Sequence, residues 1–243
     1  MDGPTAAAGT RDAHERLMRA LDDVHLDDAT AHGPSALPKW TIGHVLTHLA
    51  RNADSNTRMI EAAKTGTPVA QYPGGMTQRG SEIEAGAGRS APALLDDVRQ
   101  ADAALAVAYA GVDDDTWQSH ALRWGTEAWP VLDLPFLRWR EVAVHAVDLG
   151  LPNIGIDIWA APYVEHELQR QIAALPERLP GPMTLRLAPR DESWSTVVMR
   201  VADGEPRGFV TIEATTRELL AWAIGRFEGQ SSWPALAPWQ GLP

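Results

Sequence analysis

Four residues stand out by type and spacing. His44 and His48 are four positions apart, and so are Glu141 and His145. On a helix, residues four apart project from the same face. Each pair therefore sets two metal-capable groups side by side. One carboxylate with two imidazoles is a donor set for a divalent ion such as zinc, nickel or iron. Three protein ligands leave a coordination position open, as in catalytic rather than structural zinc sites. Plainer readings of the same residues stay open. The two histidines can be surface residues or lie at the edge of the core, and Arg138, Glu141 and His145 can form a row of ion pairs on an exposed edge.

The elements that would hold these residues follow from hydrophobic periodicity. Residues 41–63 begin with Thr41 as an N-cap and place Ile42, Val45, Leu46 and Leu49 on one side. At about 100° per residue, His48 lies beside this apolar stripe and His44 lies about 40° further toward solvent. His48 is the expected ligand of the two. Residues 135–149 run from Pro135 to Gly150 and carry Phe136, Leu137, Trp139, Val142, Val144, Val147 and Leu149 nearly all round the axis. A helix of that kind is expected to be buried. Arg138, Glu141 and His145 nevertheless fall within about 60° of one another on it. Burying a carboxylate is costly unless it is paired or coordinates a metal.

Two further amphipathic helices are expected over 11–25 and 92–110, the second striped by Leu94, Val98, Ala101, Leu105 and Ala108. Four helices of this length can share one core, and a bundle core can hold a metal between facing helices. Residues 64–89 contain the turn Gln71-Tyr72-Pro73-Gly74-Gly75 and a short helix. Beyond Pro152 the pattern changes. A helix is expected over 159–175, strands over Met183–Leu187, Ser195–Val201 and Gly208–Glu213, and a turn at Asp203-Gly204. A last helix, Thr215–Phe227, has Thr215 and Glu218 at capping-box spacing. The expected fold class is α+β: a metal-binding four-helix bundle over 1–153, then a smaller C-terminal α/β domain over 154–243.

Composition narrows the function. The 21 basic residues against 32 acidic ones give a net charge of −11, which disfavours nucleic acid and anionic membrane as partners. There is no cysteine, which excludes disulfides, Cys-ligated zinc, iron–sulfur clusters and a cysteine nucleophile. Any thiol chemistry here needs an external thiol. The longest nearly apolar run, Ala103–Val112, is well short of the about 20 residues that span a bilayer. The N-terminus has neither the basic nor the apolar segment of a secretory leader, so the expected location is the cytoplasm.

At this point two stretches become recognisable. Residues 40–54, Trp40-Thr41-Ile42-Gly43-His44 through Asp54, resemble the first ligand helix of the mycothiol-dependent maleylpyruvate isomerase family, within the DinB-like metal-binding superfamily. Residues 138–150, Arg138-Trp139-Arg140-Glu141 through Gly150, resemble the second. The Gln71–Gly75 loop, Gln78-Arg79, Glu82–Gly86 and the Leu219–Arg226 helix are similar to the same family. The resemblance implies a DinB-like four-helix bundle with His48, Glu141 and His145 as zinc ligands. It implies Arg226 as a catalytic and substrate- or thiol-contacting residue at a cleft between the two domains. Arg79, following its loop, is a candidate for a substrate carboxylate. Trp139 and Trp222 are expected in the core.

The implied activity is conversion of maleylpyruvate to fumarylpyruvate with mycothiol as thiol cofactor, a step of gentisate degradation. Thiolate addition turns the cis double bond into a single bond that rotates, and expulsion of the thiolate leaves the trans isomer. Zinc, or another divalent metal, keeps the thiol ionised near neutral pH. The substrate is a dianionic unsaturated keto acid, which calls for arginine clamps such as Arg226. Two alternatives stay open on the same residues: a mycothiol S-transferase that keeps the adduct, and a non-catalytic metal-binding module.

Overall fold

A computed structural model describes residues 1–123, 127–200, 208–227 and 229–239. The protein is α+β. By its internal contacts the chain divides into two compact units, Met1–Ile158 and Trp159–Pro243. The sequence pattern sets the boundary slightly earlier, at 153/154.

The first unit is built on four long helices with shorter elements between them. Helix α1 (Gly3–Val24) starts earlier than its apolar stripe suggests, because the Asp2 side chain accepts from Thr5 N–H at 2.8 Å and Pro4 occupies the first turn. After the single turn α2 (Asp28–Ala31) comes α3 (Ile42–Lys64). Thr41 caps α3 by accepting from the backbone N–H of His44, and the His44 ring closes the box by accepting from Thr41 N–H. Then follow α4 (Gly75–Ala87), α5 (Ala91–Ala110) and the short α6 (Asp114–Trp117). Strands β1 (His120–Arg123) and β2 (Glu127–Pro130) pair antiparallel, His120 opposite Pro130. Helix α7 (Leu134–Asp148) completes the bundle.

Helix α3 packs against α5, α4 and α7, and α1 packs against α7 and α5. Leu17, Leu21, Val45, Leu46, Leu49, Leu94, Leu105 and Val144 form the shared core. At Gly9, α1 passes directly against Trp139 of α7. A Cβ built there would clash with the Trp139 ring, so only glycine leaves the indole room against this turn of α1. The β1–β2 hairpin is not evident in the sequence pattern, and it has a positional role. Ala70 bridges Leu122 of β1, and Gln71 N–H donates to Leu122 O at 3.2 Å. The hairpin thus anchors the loop that leads into α4.

The second unit contains α8 (Ala161–Arg178), β3 (Met183–Pro189), β4 (Thr196–Arg200), β5 (Phe209–Ala214) and α9 (Thr216–Ala223). The sheet order is β4-β3-β5, with β3 antiparallel to β4 and parallel to β5. Leu185, Leu187, Val198 and Ile212 are buried, while Arg186, Val197, Met199 and Phe209 are exposed, the alternation of a half-covered sheet. The Asp203-Gly204 turn expected from sequence lies outside the described residues. The last helix is shorter than its pattern predicts. It stops at Ala223 because Gly225, at φ 73°, takes the left-handed conformation. Gly225 N–H donates to Trp222 O and Arg226 N–H to Ala221 O, the two bonds of a Schellman motif. Trp139 and Trp222 are both buried. Among the described residues no helix is long and apolar enough to cross a membrane.

Candidate metal centre

Helices α3 and α7 bring His48, Glu141 and His145 together. One ligand atom from each lies within 4.8 Å of the others, and all three residues are buried. Glu141 Oε2 stands 2.8 Å from His48 Nε2 and 3.4 Å from His145 Nε2. The two imidazoles meet edge to face, 4.6 Å apart. A buried carboxylate between two converging ring nitrogens is a donor set that a divalent cation fits.

The surroundings orient these rings. His145 Nδ1 is 2.9 Å from Asp148 Oδ2, so a carboxylate stands behind the ring and directs Nε2 inward. Trp40 lies 5.7 Å from the His48 ring and 6.0 Å from the His44 ring. Behind His48 stands a cation instead, with Arg79 Nη2 at 3.1 Å from Nδ1. The Arg79 guanidinium also rests over the Tyr72 ring at 5.9 Å. Tyr72 belongs to the loop that the β1–β2 hairpin anchors.

The electrostatics follow from burial and partners. Burial pushes the His48 pKa down to about 4, aided by the charges of His145 and Arg79 and opposed by Glu141, so this ring is neutral at neutral pH. Burial alone would raise Glu141, but hydrogen bonds from His145 and His48 hold it well below the usual carboxylate range. Burial alone would lower His145, but its bonds to Asp148 and Glu141 raise it above the ordinary histidine value.

The structure bears on one of the plainer readings left open by the sequence. Arg138, Glu141 and His145 do not form an ion-pair row on an exposed edge, because all three are buried. Arg138 turns away from the other two, donating to Asn52 Oδ1 at 2.9 Å and to His14 Nε2 at 2.7 Å. His44 has both ring nitrogens engaged: Nδ1 accepts from Thr41 N–H, and Nε2 is 3.2 Å from Glu84 Oε2. Arg79 is brought to the cluster. Arg226 lies in the second unit, just past α9, where Nη1 donates to Ile224 O at 3.0 Å and the guanidinium sits 5.9 Å over the Trp239 ring. Sequence reasoning assigned no role to Asp148 or Trp40. The His-x-x-Asp spacing of His145 and Asp148 is a visible signal for the first, since i,i+3 side chains meet on a helix. Trp40 carries no comparable signal.

Two solved structures resemble the whole chain, the mycothiol-dependent maleylpyruvate isomerase and a histidine-to-alanine mutant of it. Their TM-scores are 0.81 and 0.80, each at 22% identity and covering 98% of both chains. At that identity the likeness is one of fold. No curated protein matches the chain in sequence. The family model described as the mycothiol maleylpyruvate isomerase N-terminal domain matches residues 10–150, which is more than half of the chain and includes every residue of the metal-capable cluster. The protein therefore belongs to the mycothiol maleylpyruvate isomerase N-terminal domain family.

Proposed function

We propose that this protein is a mycothiol-dependent isomerase that converts maleylpyruvate to fumarylpyruvate. The observation that carries the reading is the convergence of His48, Glu141 and His145 on one point, with Arg79 alongside, in a chain of this family and fold. His48, Glu141 and His145 would hold a divalent ion, with zinc the first candidate. Bound there, the ion supplies a Lewis acid that favours the thiolate form of a thiol near neutral pH. Mycothiol supplies that thiol, because the chain has no cysteine of its own.

The residues of the chain do the remaining work. Glu141 is ionised and the His48 ring is neutral, so the cluster offers a carboxylate and an uncharged imidazole to a cation. Asp148 fixes the tautomer and direction of His145. Arg79 offers a planar fork to a substrate carboxylate, and Arg226 is assigned a second one. With a net charge of −11, only local arginines make a dianion welcome. An enolate oxygen that develops on thiolate addition also needs a nearby donor, and a guanidinium meets that need.

The test is an assay of the zinc-loaded protein with maleylpyruvate, with and without mycothiol, alongside metal analysis. Fumarylpyruvate formed catalytically and only with thiol supports the proposal. A stable thiol adduct would reassign the protein as an S-transferase. One bound metal without turnover would leave a metal-binding module.

A further inference from the structure

The two histidines of the cluster differ in what stands behind them. His145 has a carboxylate at Nδ1, the Asp148 oxygen at 2.9 Å. His48 has a guanidinium at Nδ1, the Arg79 nitrogen at 3.1 Å. A neutral imidazole has one N–H and one lone pair, and a guanidinium has donors only. Arg79 therefore makes Nδ1 of His48 the acceptor. The ring proton is then on Nε2, where it faces the Glu141 carboxylate at 2.8 Å. Each atom meets a complementary partner, and the tautomer is fixed.

A metal at Nε2 needs the lone pair there, so the single ring proton must be on Nδ1. Nδ1–H would then face an Arg79 N–H, donor against donor. The proton balance is even: Nε2 gives one proton to solvent, Nδ1 takes one, and the ring stays neutral. His145 needs no such rearrangement, because a protonated Nδ1 suits Asp148. We infer that a metal ion and Arg79 compete for His48, so that loading the centre expels the Arg79 guanidinium and frees its fork for a carboxylate-bearing ligand. The inference rests on the reading of His48, Glu141 and His145 as a metal centre.

The arginine is placed for such a movement. Its side chain is only partly buried, and Arg79 lies in the first half of α4, above the anchored Tyr72 ring. A guanidinium over an aromatic face keeps a favourable contact while its N–H groups change partner. Metal and carboxylate would then bind with positive coupling, since the metal supplies the vacated arginine that the carboxylate takes up.

The experiment uses the full-length protein with 15N-labelled histidine, either stripped by chelator or loaded with one equivalent of Zn²⁺. Two-bond proton–nitrogen spectra identify which nitrogen of His48 carries the proton, with His48→Gln giving the assignment. The expected result is an exchange of the two nitrogens: protonated Nε2 in the stripped protein, protonated Nδ1 in the loaded one. His145 Nδ1 should be protonated in both. Calorimetry with fumarate as probe reads the release. Loaded wild type should bind it about tenfold more tightly than loaded Arg79→Met, the effect of one charge-assisted hydrogen bond. Failure to bind Zn²⁺ overturns the metal centre together with this inference. One Zn²⁺ per chain with Nδ1 of His48 still unprotonated overturns the inference alone, as does equal fumarate binding by the two loaded proteins.

Discussion

Arg138 donates to Asn52 at 2.9 Å, one helical turn from the point where His48 meets Glu141. Arg138 precedes Glu141 by three residues on α7, and Asn52 follows His48 by four on α3. The two contacts pin the same pair of helices at successive turns. They set the register that lets His48 and Glu141 converge. The guanidinium is 1% exposed and holds His14 as well as Asn52. Arg138→Lys keeps the charge but loses the planar fork. It is expected to lower unfolding free energy by about 2–4 kcal/mol, through an imperfectly satisfied buried cation and its stranded partners. Urea denaturation monitored by circular dichroism checks this, and an unchanged midpoint would show that the register is held elsewhere.

His48→Ala should abolish metal binding while the bundle stays folded. His44→Ala should retain one metal per chain, because both nitrogens of His44 are engaged by Thr41 and Glu84. Its cost should fall on stability alone, about 1 kcal/mol for half of a capping box. Metal analysis after dialysis distinguishes the two variants, and the reverse pattern would mean that the wrong histidine has been assigned.

Arg226 is the second proposed carboxylate clamp. Arg226→Ala should reduce kcat/KM for maleylpyruvate by the equivalent of about 1.5–3 kcal/mol, the value of hydrogen bonds to a charged group, without loss of metal. Arg226→Lys should recover part of the loss, since an ammonium cannot make a two-pronged contact. Wild-type kinetics in the alanine variant would leave Arg226 with a local structural role, through its Schellman bond and its contacts to Ile224 O and the Trp239 ring.

Asp102 gives a pH-dependent prediction away from the metal-capable cluster. Its Oδ1 lies 3.0 Å from His14 Nε2, and burial pushes its pKa up to about 6. A carboxyl whose folded pKa lies above its unfolded value stabilises the fold fully below about pH 4. That contribution is lost as pH rises through about 6, where the half-buried group must ionise. The shift corresponds to about 3 kcal/mol. Asp102→Asn has no proton to lose, so its stability relative to wild type should rise between pH 4 and pH 7. Parallel stability profiles for the two proteins across that range would contradict the assignment.

Much of this arrangement is legible in the sequence. Thr41 and Pro135 mark helix starts, and the apolar stripes indicate which side of α3 carries His48 and that α7 is buried. Other parts depend on contacts between distant residues. No periodicity reveals that Arg138 turns inward to Asn52, because that contact depends on the register between α3 and α7. The β1–β2 hairpin is too short to give a repeating pattern, and it shows itself only through what it anchors. The expected helix to Phe227 follows the apolar spacing correctly, but Gly225 takes a left-handed conformation and ends it early. Asp148 is visible as a residue but not as a partner until the His145 ring is placed.

The contact of Gly9 with Trp139 makes the centre sensitive to a helix that lends it no ligand. Gly9→Ala is the kind of change that steadies most helices, by about 1 kcal/mol. Here the added methyl would meet the Trp139 ring, two residues before Glu141. The indole would have to shift or α7 would have to move, and α7 carries two of the three residues of the metal-capable cluster. A helix-stabilising redesign of α1 that included Gly9 would therefore offset its gain in helix propensity by overpacking against Trp139, and would disturb the cluster as well. The freedom to vary the sequence around His48, Glu141 and His145 is bounded by α1 as well as by the cluster itself.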